Sequence, residues 1–472
     1  MIKTMTNYFD RNTDEAGRKA ILKPWIEEAR ELLKLATPLI AMQLAQIGSL
    51  TADIIMVGYL GKEALAATAI GAVIFYLAWL IGFGPVMAVS PIVAQTLGAH
   101  PNDRARVRAA VRMGFWSIGL MSPVLMVALL WTRPVLEFLG QDPKIAAMAE
   151  PWVQVISLGL PFWLGTALLR GFATAIDKQR PVLLIAIATV LVNIAGNYVF
   201  IYGNFGAPAF GLVGSAIAST IAYIFSFAAL LTLVLVAPAF KKYYLLHRFF
   251  RPDWKKLTEI FRLGFPMGSS LIFEAMLFNS ATLIIGTFGA TAVAAHQIAL
   301  NIPSVTFMVP LGIGMAATVR VGLAVGARNA IGARRAGHTA IVIGCGFMAL
   351  CGIVIALMPE TLAGLYLSAT DPANEGVIPL AATFLYVAAA FQLFDALQVT
   401  AQSSLRGIKD ARAPMWIAGS SYWLIGFPLA FGLAYWADLE GLGVWIGLLA
   451  GLAVAGVGMF WRWEVLSHRN LT

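Results

Sequence analysis

The stretch "ELLKLATP" at Glu31–Pro38 returns 228 residues later as "EIFRLGFP" at Glu259–Pro266, and the register then holds without a gap as far as Ala99 and Ala327. Of the 69 aligned pairs, 16 are identical. A composition this biased would give about five by chance. Within the register "GYLGKEALAA" (Gly58–Ala67) falls on "GTFGATAVAA" (Gly286–Ala295). Later the pairing resumes at a slightly larger shift, setting "DKQRP" (Asp177–Pro181) on "DARAP" (Asp410–Pro414). The chain is an internal duplication, so its fold should consist of two similar halves.

Each half is built for hydrocarbon. Of the 472 residues 59% are hydrophobic and 12% charged, and the mean hydropathy is +0.79, far from soluble domains. A helix needs about 20 apolar residues to cross a bilayer, and such windows recur along the chain. Twelve spans are expected, at 31–57, 66–97, 105–131, 147–170, 181–202, 210–237, 259–286, 291–324, 334–358, 376–405, 413–436 and 441–463. Six spans per repeat give both halves the same orientation, related by a pseudo-two-fold axis along the membrane normal. The predicted fold is an all-α integral membrane protein of twelve transmembrane helices in two pseudo-symmetric six-helix lobes. The expected organisation is a tail at 1–30, an N-terminal lobe at 31–237, a basic and aromatic linker at 238–258, a C-terminal lobe at 259–465 and a short tail at 466–472. Two such lobes facing each other favour a transporter that works by alternating access.

Basic residues are retained on the cytoplasmic side of a membrane. Taking the N-terminus, alternate loops and the C-terminus as inside collects 30 of the 33 Lys and Arg residues and leaves out only Lys62, Arg133 and Lys144. Both termini are therefore expected in the cytoplasm. The first thirty residues are too polar for a cleavable signal peptide, so the first span is expected to direct insertion. The net charge of +9 then reflects retention and anionic headgroups, and no base-reading module argues for nucleic acid. Cys345 and Cys351 share one span, and the five histidines are scattered, so disulfide, redox and zinc chemistry find no support.

Three carboxylates fall where water cannot solvate them: Asp53 late in span 1, Glu274 near the middle of span 7 and Asp395 inside span 10. An aspartate at a helix centre costs about 2.5 to 3.5 kcal/mol on insertion scales. No Lys or Arg is expected within the spans to pair with them, so each should be neutralised by a proton, a metal cation, a cationic substrate or cavity water. A coupling ion and a cationic substrate would then compete for one buried charge, and exchange follows from that competition. Phe391, one turn before Asp395, suits an organic cation or simply packs in a helix interface. Asn193 and Asn197 share a face of span 5 and can reach toward Asp53, or act as interhelical amide contacts. In span 8, Gln297 and Asn301 lie four apart, and His296 beside them is a titratable group or a polar interface residue. Pro38, Pro91, Pro161, Pro266, Pro303 and Pro310 should bend their helices.

Three segments together resemble the multidrug and toxic compound extrusion (MATE) family, in its bacterial NorM-like branch. They are "PLIAMQLAQIGSLTADIIMVGYLGKEALAATAIG" from Pro38, "FEAMLFNSATLIIGTFGATAVAAHQIALN" from Phe273 and "FQLFDALQVTAQSSLRGIKDARAP" from Phe391. The resemblance implies a V-shaped pair of six-helix lobes in the bacterial inner membrane that exports cationic amphipathic compounds in exchange for Na⁺ or H⁺. It further implies that Asp53 is a substrate or proton site, that Glu274 and Asp395 form an acidic cation-binding pair able to take Na⁺, and that Gln297, Asn193 and Asn197 line the cavity. Phe391 stands where some Na⁺-coupled relatives carry a tyrosine. Gln46, which the repeat aligns with Glu274, joins the cavity candidates, and Asp53 aligns with Ala281, so the halves place their acids at different depths. No catalytic residue and no cofactor beyond the coupling ion are expected. The expected partners are small organic cations and membrane lipids, with no nucleic acid, and the protein is expected to act as a monomer. A lipid-linked precursor flippase is the alternative, and its phosphate-bearing cargo would call for intramembrane Arg or Lys. An intramembrane enzyme would call for clustered aspartates on one helix or loop.

Overall fold

A computed structural model describes residues 15–366 and 376–468, with side chains from Leu22 onward. The described residues contain only helices and connecting turns. Eleven helices are long and apolar enough to cross a membrane, and a broken pair completes twelve. We number the spans α1 (Glu15–Gly58), α2 (Lys62–Ala99), α3 (Arg104–Leu129), α5 (Arg180–Phe200), α6 (Leu212–Val236), α7 (Trp254–Gly286), α8 (Ala290–Gly326), α9 (Ala330–Leu357), α10 (Val377–Gly407), α11 (Arg412–Tyr435) and α12 (Glu440–His468). The fourth, α4, consists of Pro143–Ser157 and Leu160–Ala175, bent by 47°. The expected bend at Pro161 is there, since that residue opens the second segment, where a missing N–H costs nothing. Among the described residues α1 is already helical at Glu15, so the end of the polar N-terminal stretch extends the first span. In α11 a π-helical turn, Ser421–Gly426, precedes Pro428 and absorbs the backbone bond that proline cannot make.

The repeat is visible in detail. Gly61 and Gly289, paired by the 228-residue shift, begin α2 and α8 with φ of 107° and 98°, a backbone region open essentially to glycine. The glycines that the two copies share further along mark where the halves meet. A Cβ on Gly98 of α2 would stand 2.9 Å from the Leu323 carbonyl carbon and 3.0 Å from Ala327 N of α8. One on Gly326 would stand 2.8 Å from the Gln95 carbonyl carbon and 2.9 Å from Ala99 N. Gln95, Gly98 and Ala99 pair with Leu323, Gly326 and Ala327 under the shift, so α2 and α8 cross on the two-fold axis through equivalent residues. Gly84, against Gly264 and Gly268 of α7, has its counterpart in Gly312, against Ile40 of α1.

These contacts lie toward the side where α1 begins and α12 ends, here the terminal side. Hydrogen bonds between the halves among the described residues lie there too. Arg320 donates to both carboxylate oxygens of Glu28 at 2.8 and 2.7 Å, and Gln95 Nε2 donates to the Gly407 carbonyl at 2.8 Å. The linker is pinned to α3 by Arg112 Nη1 on Arg248 O at 2.9 Å and Trp116 Nε1 on Phe249 O at 3.0 Å. Toward the opposite side Gly48, Gly58 and Gly286 face open space. Among the described residues the hydrogen bonds that join the halves thus gather on the terminal side, and further along Tyr76 of α2 lies within electrostatic reach of Glu274 of α7.

Candidate functional site

In the N-terminal half, Ser49 and Asp53 stand one turn apart on α1 and face Asn193 and Asn197, one turn apart on α5. Asn197 Nδ2 donates to Asp53 Oδ1. Asn193 accepts from Ser49 Oγ at 3.1 Å and donates to Ser219 Oγ of α6 at 3.2 Å. Both asparagines are buried, and Asn197 Oδ1 has no hydrogen-bond partner among the described residues. One turn past Ser219, Tyr223 lies within electrostatic reach of Asp53 and begins a stack of rings. Its ring is 5.0 Å from Trp163, which is 4.5 Å from Trp79, which is 4.3 Å from Phe83. This wall joins α6, α4 and α2, and with aromatic residues spread along the chain no spacing in the sequence announced it.

In the C-terminal half, α10 turns one stripe inward: Phe391, Asp395, Gln398, Gln402 and Arg406, all buried, at the three- and four-residue spacing that puts side chains on one helical face. Gln398 Nε2 donates to Glu274 Oε2 at 3.4 Å, and Asp395 lies within electrostatic reach of the same carboxylate. Arg406 Nη2 donates to Gln402 Oε1 at 2.6 Å, and its charge acts on Glu274. The fully buried Tyr422, in the π-helical turn of α11, lies near Gln398 and within electrostatic reach of both acids. Its hydroxyl and Gln398 Oε1 are buried without hydrogen-bond partners among the described residues. Phe391 packs edge-on against Phe278 at 6.0 Å and Trp445 at 6.2 Å. His296 is enclosed, its Nε2 3.0 Å from Thr282 Oγ1.

Glu274 and Asp395 are thus brought together, as are Asp53, Asn193 and Asn197, but the two groups belong to different halves. Gln46, Gln297 and Asn301 are exposed and join neither; the Asn301 amide donates to the Gln297 carbonyl of its own helix at 3.2 Å. One expectation is corrected. Basic residues do lie inside: Arg406 is 7% exposed, and the partly buried Arg170 of α4 donates from Nη2 to Gln43 Oε1 of α1 at 3.0 Å. Both stand at the edges of predicted spans, where sequence alone assigns them to water, and the convergence of helices on the terminal side encloses them. The Tyr422 hydroxyl was also missed, because no local signal in "GSSYWLIG" shows that the ring turns inward.

Two six-helix halves meeting on a two-fold axis, with a partly buried Asp53 in one and the partly buried Glu274 near the buried Asp395 in the other, define a membrane transporter of the multidrug and toxic compound extrusion type. The comparisons with known proteins agree. The MatE family model matches residues 38–199 and again 266–431, the two matches opening at Pro38 and Pro266, a pair already set by the repeat. The chain belongs to the MatE family, and its relatives are NorM-like. It is 39% identical over 450 residues to "Probable multidrug resistance protein NorM" of Mesorhizobium japonicum, covering 95% of this chain and 96% of that one. It is 38% identical over 438 residues to "Multidrug resistance protein NorM" of Burkholderia vietnamiensis, covering 93% and 94%. Among solved structures, the eukaryotic MATE transporter AtDTX14 superposes with a TM-score of 0.83 at 22% identity, over 94% of this chain and 98% of that one.

Proposed function

We propose that the protein is a cation-coupled antiporter of the bacterial inner membrane, both termini cytoplasmic, that exports cationic amphipathic compounds in exchange for Na⁺ or H⁺. The observation that carries this is the charge count of the C-terminal cluster. With both carboxylates ionised, Glu274 and Asp395 bring two negative charges and Arg406 one positive. One negative charge is left, and in a low-dielectric interior it must be matched by one cation. A proton on either carboxylate, a Na⁺ or an organic cation each satisfies it, and no two can do so at once. Loading from one side with the coupling ion and from the other with drug is then exchange.

The donor set suits Na⁺. Two carboxylates, the free Gln398 Oε1 and the Tyr422 hydroxyl are hard oxygen ligands, and Tyr422 supplies the phenol oxygen that Phe391 lacks. Asp53, held by Asn197, offers a second carboxylate in the other half, for H⁺ or substrate. Arg406 and Arg170 remove the argument that a phosphate-bearing cargo would find no base here, but both donate to protein partners, which favours a cationic cargo. The test is uptake of a fluorescent organic cation into everted membrane vesicles, driven by a Na⁺ gradient alone and by a pH gradient alone. Glu274→Gln and Asp395→Asn should abolish uptake under the gradient that drives the parent. Unchanged uptake in both variants would reject the assignment, and movement of a lipid-linked sugar in place of the dye would favour the flippase.

A further inference from the structure

On the terminal side a cavity of about 310 Å³ lies between α1 and the turn that joins α4 to α5, lined by Lys34, Asp177, Lys178, Gln179, Arg180 and Pro181. A second, of about 550 Å³, continues from it, sharing Arg180 and Pro181 and running between α1 and α5 past Thr37, Pro38, Ala41, Leu183 and Leu184. The first is lined by three basic side chains against one acidic, with Lys34 also 3.8 Å from Glu31, and the second mostly by apolar ones beside Thr37 and Arg180. Their polarity changes along the helices in the sense of a lipid leaflet, headgroup level at the basic end and acyl level beyond. Gln179 adds an independent sign. Its side chain is 3% exposed, and while Nε2 donates to the Leu35 carbonyl at 3.4 Å, Oε1 is buried with no partner among the described residues. A buried acceptor of this kind calls for a donor from outside the fold.

We infer that this groove is a binding site for one anionic phospholipid of the terminal-side leaflet, of the phosphatidylglycerol class. Lys34, Lys178 and Arg180 receive the phosphate, a turn of the Gln179 side chain toward the groove lets the glycerol hydroxyls donate to its Oε1, and an acyl chain lies between α1 and α5 beside Pro38, Ala41 and Leu184. A headgroup without a hydroxyl meets the charge but leaves the Gln179 acceptor empty. The occupant wedges the two helices that carry Asp53, Asn193 and Asn197, so the lipid supports the N-terminal half of the transport site without touching it. This reading stands independently of which ion drives transport.

The test is native mass spectrometry of the purified, delipidated protein titrated with dioleoyl phosphatidylglycerol or dioleoyl phosphatidylcholine. Lys34→Gln/Lys178→Gln/Arg180→Gln should weaken the first phosphatidylglycerol by about tenfold or more, since each base near the surface contributes to anionic lipid binding. A control triple of exposed bases on the same side, Arg104→Gln/Lys241→Gln/Arg251→Gln, should change it less than about twofold. Ala41→Trp, which fills the apolar part and leaves every charge in place, should also weaken it. Equal binding of phosphatidylcholine, equal loss in the control triple, no effect of Ala41→Trp, or displacement of the lipid by inorganic phosphate at the same concentration would each overturn the site.

Discussion

Replacing Gly98 by alanine should shift the balance between the two access states. The added Cβ would run into the Leu323 carbonyl oxygen and lie 2.9 Å from its carbon and 3.0 Å from Ala327 N, so α2 and α8 must part by about 1 Å or more to restore ordinary contact. Both neighbours are backbone and cannot rotate away. Overpacking of this kind costs about 1 to 3 kcal/mol, and it falls only on the state closed on the terminal side. At 1.4 kcal/mol per factor of ten, the closed population should drop relative to the open one by roughly 5- to 150-fold. Gly326→Ala meets the same crossing from the other helix. One displacement relieves both, so the double variant should shift little more than either single one, a departure from additivity. Electron–electron resonance distances would read this in a Cys345→Ala/Cys351→Ala background, with labels at Lys62 and Ala290 for one side and at Asn102 and Arg328 for the terminal side. The terminal-side distance should lengthen and the other shorten, while Gly48→Ala, which meets nothing within 4 Å, leaves both unchanged. Unchanged distributions in Gly98→Ala and Gly326→Ala would refute the idea that this crossing sets closure.

Further outcomes follow from the same geometry. Arg406→Gln should leave two negative charges to be matched in place of one, so that drug and one coupling ion can be bound together and their competition in equilibrium binding weakens; undiminished competition would remove Arg406 from the charge count. Glu28→Gln breaks a two-pronged pair whose members are 11% and 29% exposed, which should cost about 1 to 3 kcal/mol after solvent screening. The thermal midpoint in detergent should fall, and the swapped pair Glu28→Arg/Arg320→Glu should recover part of the loss. Gly61→Ala forces a side chain into a backbone region that costs about 1 to 3 kcal/mol, and a midpoint equal to the parent's would show that the turn relaxes freely.

Long apolar windows made the spans legible in the sequence, and the ungapped repeat exposed the pairing of the glycines at 61 and 289, 84 and 312, and 98 and 326. Local spacing also put Asn193 and Asn197 on one face, and burial of Asp53 beside them needed only that α1 pack on α5. What stayed hidden depends on rotation and depth set by several helices together. Arg406 lies one residue past a predicted span yet is enclosed because the helix runs on to Gly407 against α8. Tyr422 turns toward the acids because a π-helical turn before Pro428 re-aims the helix. Gln297 and Asn301 do share a face, as four-residue spacing requires, but the opposite face of α8 carries the buried Ala295, His296, Ile298 and Ala299. Periodicity fixes which residues face together, not what they face.

In the proposed exchange one uncompensated negative charge is shared by turns between coupling ion and drug. Equilibrium binding of a fluorescent organic cation to the purified protein, titrated against Na⁺ at fixed pH and against pH at fixed Na⁺, tests it most directly. At least one of the two ions should raise the apparent Kd of the dye in simple competition, one ion per dye, and Glu274→Gln and Asp395→Asn should remove this competition. Dye affinity indifferent to both ions, or competition that persists when both acids are neutralised, would contradict it.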